Sequence, residues 1–235
     1  MLRDLYRERK GKRKRESSYD RTGGNFDFYG FNPGDKKVIF DVNAPGCITH
    51  IWVTMAAYLG GADAMLERKV VLRMYWDNEE EPSVEAPIGD FFGMGHGISK
   101  NFVSAPLTMC PQDGRGYNCY FPMPYSDAAR IEVENQSEFQ MLFYFYVDYE
   151  EYDEAPDSSL RFHASWRREL TESAADPDWD GEYFQFAGEN LTGEENYVIL
   201  KEDKRRDMIL SQSQRLVHAI GGELLMDEGL LHEVV

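Results

Sequence analysis

The chain has 235 residues, 42% hydrophobic and 14% aromatic, enough for one large all-β domain or about two smaller ones. Its formal charge of −17 is divided unevenly: residues 1–15 carry a net +6 and the remainder a net −23. An acidic body argues against nucleic acid as a main partner, because phosphate binding needs a basic surface, and no stretch approaches the ~18 apolar residues of a membrane span.

The basic run Arg7–Arg15 reads as a solvated N-terminal tail over 1–16, without the apolar stretch of a secretory leader. Ser17–Asp27, SSYDRTGGNFD, sets Asp20, Arg21 and Asn25 around the tandem Gly23-Gly24. Such glycines allow close approach by a ligand, and Asp, Arg and Asn suit sugar hydroxyls; the plain alternative is an Asx-type turn into a strand. Short strands are expected at Lys37–Asp41, Cys47–Met55, Lys69–Trp76, Asn101–Cys110, Tyr117–Pro122 and Arg130–Asn135. Cys47–Met55 carries apolar residues on both faces and predicts a central strand. Phe139–Tyr149, FQMLFYFYVDY, is the strongest strand signal and reads as covered on both faces. Leu160–Trp166 and Tyr197–Leu200 follow, with turns at Gly60–Gly61 and Glu79–Pro82. Strands with Gly, Pro and Asp turns and no long helix predict an all-β sandwich or jelly roll.

The final segment differs in kind. All 32 aromatic residues lie at or before Tyr197, and the last 38 residues contain none. Residues 201–235 favour helix or disorder, as a genuine helical appendage or as a frameshifted or truncated gene end. Cys47, Cys110 and Cys119 are odd in number and lack metal-ligand spacing, so free thiols in the cytoplasm are expected, with no metal and no cofactor. The turn Asp176–Asp180 lacks a full calcium-loop pattern and reads as solvated.

Leu72–Gly97, LRMYWDNEEEPSVEAPIGDFFGMGHG, concentrates the chemistry. Trp76 at a strand end can stack on a sugar face or cap the core, and Asp77 can accept hydroxyl bonds. Glu85 and Asp90 on a bent Pro-containing loop can reach the ~5 Å or ~6.5–9.5 Å separations of glycosidase carboxylate pairs, although 42 acidic residues make accidental pairs common. His96 between glycines can bind a hydroxyl or exchange a proton. No nucleophile elbow, phosphate loop, dinucleotide fingerprint or zinc motif is present.

SSYDRTGGNFDF, APGCITHIWVT, the Leu72–Gly97 stretch, YNCYFPMPYSDAARIEVENQ and FYFYVDYEEYDEAPDSSLRFHASWRRE resemble glycoside hydrolase family 172 from about Ser17 to Leu200. The resemblance implies tandem jelly rolls assembled as trimers or larger homo-oligomers, retaining hydrolysis of furanosides by a glutamate pair, and no metal. It divides the chain into a first roll at 17–155, strands 156–200 opening a second, and the atypical tail 201–235. The family's second roll carries a Gly-Thr-Gly-Thr-Glu-Asp-Tyr type of motif, to which its catalytic glutamates belong. That motif is absent here, so no residue inherits the catalytic role. Asp20, Arg21, Asn25, Trp76, Asp77 and His96 are the expected substrate-binding residues. The expected function is the N-terminal part of a furanoside hydrolase, inactive alone. The alternative is a non-catalytic carbohydrate-binding or oligomer-forming roll.

Overall fold

The computed structural model describes residues 11–57, 65–157, 160–168, 208–212 and 231–234, with backbone alone at His96, 208–212 and 231–234. The expected turns at Gly60–Gly61 and Asp176–Asp180 and the strand at Tyr197–Leu200 lie outside the described residues. Two sheets face each other across one core. The first contains β1 (Lys12–Ser17), β2 (Tyr29–Phe31), β4 (Gly46–Ala57), β7 (Phe102–Val103), β8 (Leu107–Met109), β9 (Tyr117–Cys119), β10 (Met123–Tyr125) and β12 (Met141–Glu151). The second contains β3 (Lys36–Val42), β5 (Val70–Trp76), β6 (Val84–Pro87), β11 (Ala129–Asn135), β13 (Phe162–Ser165), β14 (Met208–Gln212) and β15 (Leu231–Val234). This is a β-sandwich.

Alternation explains the layering. Along β12, Met141, Phe143, Phe145 and Val147 are buried, while Leu142, Tyr144, Tyr146 and Asp148 face outward. β12 runs antiparallel to β4 over its whole length, and β4 lies inside its sheet as its two-sided apolar pattern predicts. The expectation that β12 is covered on both faces is corrected: Tyr146 is 39% exposed. Its outward aromatics are accommodated by lateral stacking instead. Trp52 stacks on Tyr146 at 4.9 Å, the Arg15 guanidinium lies 4.6 Å above the same ring, and Phe28 meets Tyr144 at 5.7 Å.

The basic run, expected as a tail, supplies edge strand β1 from Lys12 onward. It pairs with β12 in register, Lys12 opposite Glu151 and Arg15 opposite Asp148. Lys12–Asp153, Lys14–Glu151 and Arg15–Asp148 ion pairs match its charges to the acidic end of β12. In the tail, the described residues form β14 and β15 rather than helix: β14 adds in parallel to the edge of β13 and β15 pairs with β14.

Candidate functional site

Strand directions gather one cluster. β5 and β6 are antiparallel, so Val71 at the start of β5 faces Pro87 at the end of β6. Two short helices flank that end: α1 (Leu66–Lys69) precedes β5, and α2 (Ile88–Phe91) follows β6. β13 is parallel to β6, Ser165 opposite Glu85, so Trp166 emerges at the same end. Arg68 of α1, Asp90 of α2 and Trp166 therefore meet.

Asp90 is 3% exposed. Arg68 Nε lies 2.7 Å from its Oδ2, and the Trp166 side chain donates a hydrogen bond to the same carboxylate. Burial pushes the Asp90 carboxyl up to about 6, against the opposing pull of Arg68 and Trp166. The Arg68 guanidinium lies 5.5 Å from the Trp166 ring centre. Arg68 and Trp166 form one wall of a cavity of about 420 Å3, completed by Arg73, Glu85, Gln136 and Arg168. Arg73 faces Glu85 across the strands. Its Nε donates to Glu85 Oε2 at 2.5 Å and its Nη1 to Glu134 Oε2 at 2.5 Å. The two carboxylates singled out in the sequence thus belong to different arginines, Glu85 to Arg73 and Asp90 to Arg68.

The other expected residues separate into three groups. Trp76 is fully buried, donates its indole N–H to the Phe162 carbonyl at 2.7 Å and stacks parallel to Tyr125. Neither face is open to a ligand in this chain, so the core-capping reading holds for it. Asp77 follows β5 with φ at 52°. Its Oδ1 accepts backbone N–H bonds from Ser126 and Asp127 at 2.7 and 2.8 Å, and its Oδ2 accepts Arg161 Nε at 2.5 Å. Burial alone would raise this carboxyl; the N–H groups and Arg161 together hold it below the usual carboxylate range. Asp77 clamps the turn before β11. The neighbouring Asn78 borders a separate hollow of about 320 Å3 with Asp41, Asn43, Glu79 and Arg130.

Asp20, Arg21 and Asn25 stand together on the largely exposed loop between β1 and β2. Asp20 Oδ1 accepts the Thr22 hydroxyl at 2.7 Å and its backbone N–H at 2.8 Å, which holds the carboxyl low. Gly23 at φ 77° and Asn25 at φ 66° make the turn, and both residue types tolerate that region. Arg21 reaches Tyr19 and Glu16, with its guanidinium 4.7 Å from the Tyr19 ring. Tyr19 and Phe26 are 52% and 70% exposed, so the loop presents two aromatic faces beside its polar groups. His96 lies in a 3-10 turn, Gly95–Gly97; its side chain falls outside the described part.

Sequence reasoning missed Arg68, Arg73, Gln136 and Trp166. The available signals were the basic LERK segment and the tryptophan just after a strand, and neither announces its partner. Among the described residues no group of three or more His, Cys, Asp or Glu is placed to hold a metal ion. Nor is any of their helices long and apolar enough to cross a membrane. Cys47, Cys110 and Cys119 are free thiols.

Comparison with known proteins gives two results. A 67-residue stretch is 40% identical to the glycine–tRNA ligase beta subunit of Clostridioides difficile (strain 630), covering 28% of this chain and 9% of that subunit. Residues 10–165 match the GH172 first beta-sandwich domain. That span takes in β1 to β13, the exposed loop and most of the cavity wall, and it includes the basic strand that composition alone assigns to a tail. The chain belongs to glycoside hydrolase family 172 and carries the first β-sandwich domain of that family.

Proposed function

We propose that this chain is the carbohydrate-directed N-terminal part of a retaining furanoside hydrolase of the fructofuranoside or arabinofuranoside class, binding sugar without hydrolysing it alone. The family match over residues 10–165 carries the reading. The state of the acidic residues supports the absence of turnover: Glu85 and Asp90, the pair offered by the family-like loop, are each committed to an arginine. The loop with Asp20, Arg21 and Asn25 beside exposed Tyr19 and Phe26 is the proposed sugar-facing surface, aromatic faces for ring stacking and polar groups for hydroxyls. Assembly into a homo-oligomer and a cytoplasmic location are part of the proposal. The outward aromatics of β4 and β12 support the first and the free thiols the second. The 9% share of a tRNA ligase subunit does not extend that protein's activity to this chain.

Calorimetric titration with arabinofuranose and fructofuranose oligomers, combined with sedimentation, tests the reading. Saturable binding weakened several-fold by Tyr19→Ala with Phe26→Ala is expected. Absence of both binding and assembly in a folded sample overturns it.

A further inference from the structure

The cavity walled by Arg68 of α1, residues of β5 and β6, and Trp166 has a hydrogen-bonding imbalance. Arg68 sets its Nε 2.7 Å from Asp90 Oδ2 in an ion pair, and among the described residues its Nη1 and Nη2 donate to no side chain. Arg73 commits Nε and Nη1 to two glutamates and, among the described residues, leaves Nη2 without a side-chain partner. Arg168 has no carboxylate partner among the described residues. Against these three guanidinium groups the described lining side chains offer Glu85 and the side-chain oxygen of Gln136, whose Nε2 donates to Glu134. Guanidinium groups only donate. A neutral sugar hydroxyl brings a donor with every acceptor and leaves part of this set unanswered. A carboxylate or phosphate brings acceptors alone and fits the planar fork bidentately.

The set is built rather than incidental. Asp90 is buried and fixes both Arg68 and the indole of Trp166, so guanidinium and ring are held relative to one another before anything binds. A volume of about 420 Å3 accommodates one monosaccharide-sized molecule. We propose that this cavity binds an anionic monosaccharide, its carboxylate or phosphate on Arg68 and Arg168 and its ring against Trp166. The ring rests on the carbohydrate reading above; the anion rests on the cavity alone. Asp90 is a positioning residue in this scheme, because it reaches the ligand only through Arg68 and Trp166.

The test titrates the full chain at pH 7 with D-glucuronate, D-glucose 6-phosphate, D-glucose and inorganic phosphate, following heat and the Trp166 indole N–H resonance. At least one sugar anion should bind ~10-fold or more tightly than glucose and shift that resonance. Arg168→Gln, at an exposed site, should weaken it about 5-fold or more with unchanged thermal unfolding. Arg68→Lys keeps a charge beside Asp90, loses the fork, and should weaken it similarly. Preference for glucuronate marks the ligand as a sugar acid, and preference for glucose 6-phosphate as a sugar phosphate. Equal binding of glucose, no effect of Arg168→Gln, or inorganic phosphate binding as tightly as either sugar anion overturns the inference. If neutral furanosides bind while sugar anions do not, this inference falls and the proposed function stands; the converse result separates them the other way.

Discussion

Asp77 and Asp90 show how the same residue type in one stretch takes opposite environments. Asp77 is ringed by donors, and its removal leaves backbone N–H groups and Arg161 unanswered. Asp77→Ala should cost about 2–3 kcal/mol in urea unfolding at pH 7, and Asp77→Asn less, since it keeps one acceptor oxygen. Equal stability of Asp77→Ala and wild type contradicts the clamp. Asp90 is governed by burial, which outweighs its two partners. Its carboxyl titrates at about 6 in the folded chain against ~3.9 unfolded. Below pH ~4 both states hold the proton and the group is neutral for stability. As pH rises towards 6 the unfolded chain releases its proton first, so stability falls, by up to about 3 kcal/mol. Asp90→Asn lacks this limb. Its unfolding free energy relative to wild type should therefore rise between pH ~4 and ~6.5 and then level off, and a difference constant across that range contradicts the buried site. Neither role was legible locally. The sequence places both carboxylates near a turn, but their partners Arg161, Arg68 and Trp166 arrive from elsewhere in the chain.

Strands with apolar alternation were readable: β4, β5, β11 and β12 lie within a few residues of their expected bounds, because their inward side chains form the core. β1 was hidden by its charge. Its stability comes from ladder bonds and from acidic residues at the end of β12, 133 to 141 residues away in sequence, which no local pattern reveals. β6 was hidden by Pro87 and Glu85, and it fits because Pro87 is its last residue. Deleting residues 1–17 should expose the β12 edge, lower the thermal midpoint by several degrees and promote association, seen by calorimetry and sedimentation. Replacing Lys12, Arg13, Lys14 and Arg15 together by Gln keeps the ladder. Because these side chains are largely exposed, that change should have a smaller effect, diminishing further in 1 M salt. If the Gln variant is as damaged as the deletion, charge rather than the ladder holds the strand.

The molecule as a whole is an acidic sandwich with two differently equipped regions: an exposed aromatic and polar loop on the edge of one sheet, and a guanidinium-rich cavity at the end of the other. The family was legible from its motif series, and the match over residues 10–165 agrees with it. The sugar-facing assignment of Trp76 was not legible, because the same strand-end tryptophan serves a surface or a core depending on whether a second sheet covers it. Here Phe162 and Tyr125 cover it. Glu85 and Asp90 on separate arginines support the proposed function, a family 172 domain that binds sugar without cleaving it. Incubation of the purified chain with an aryl arabinofuranoside is the decisive assay. No aryl release above a protein-free blank is expected; sustained release that disappears in Glu85→Gln would overturn the proposal.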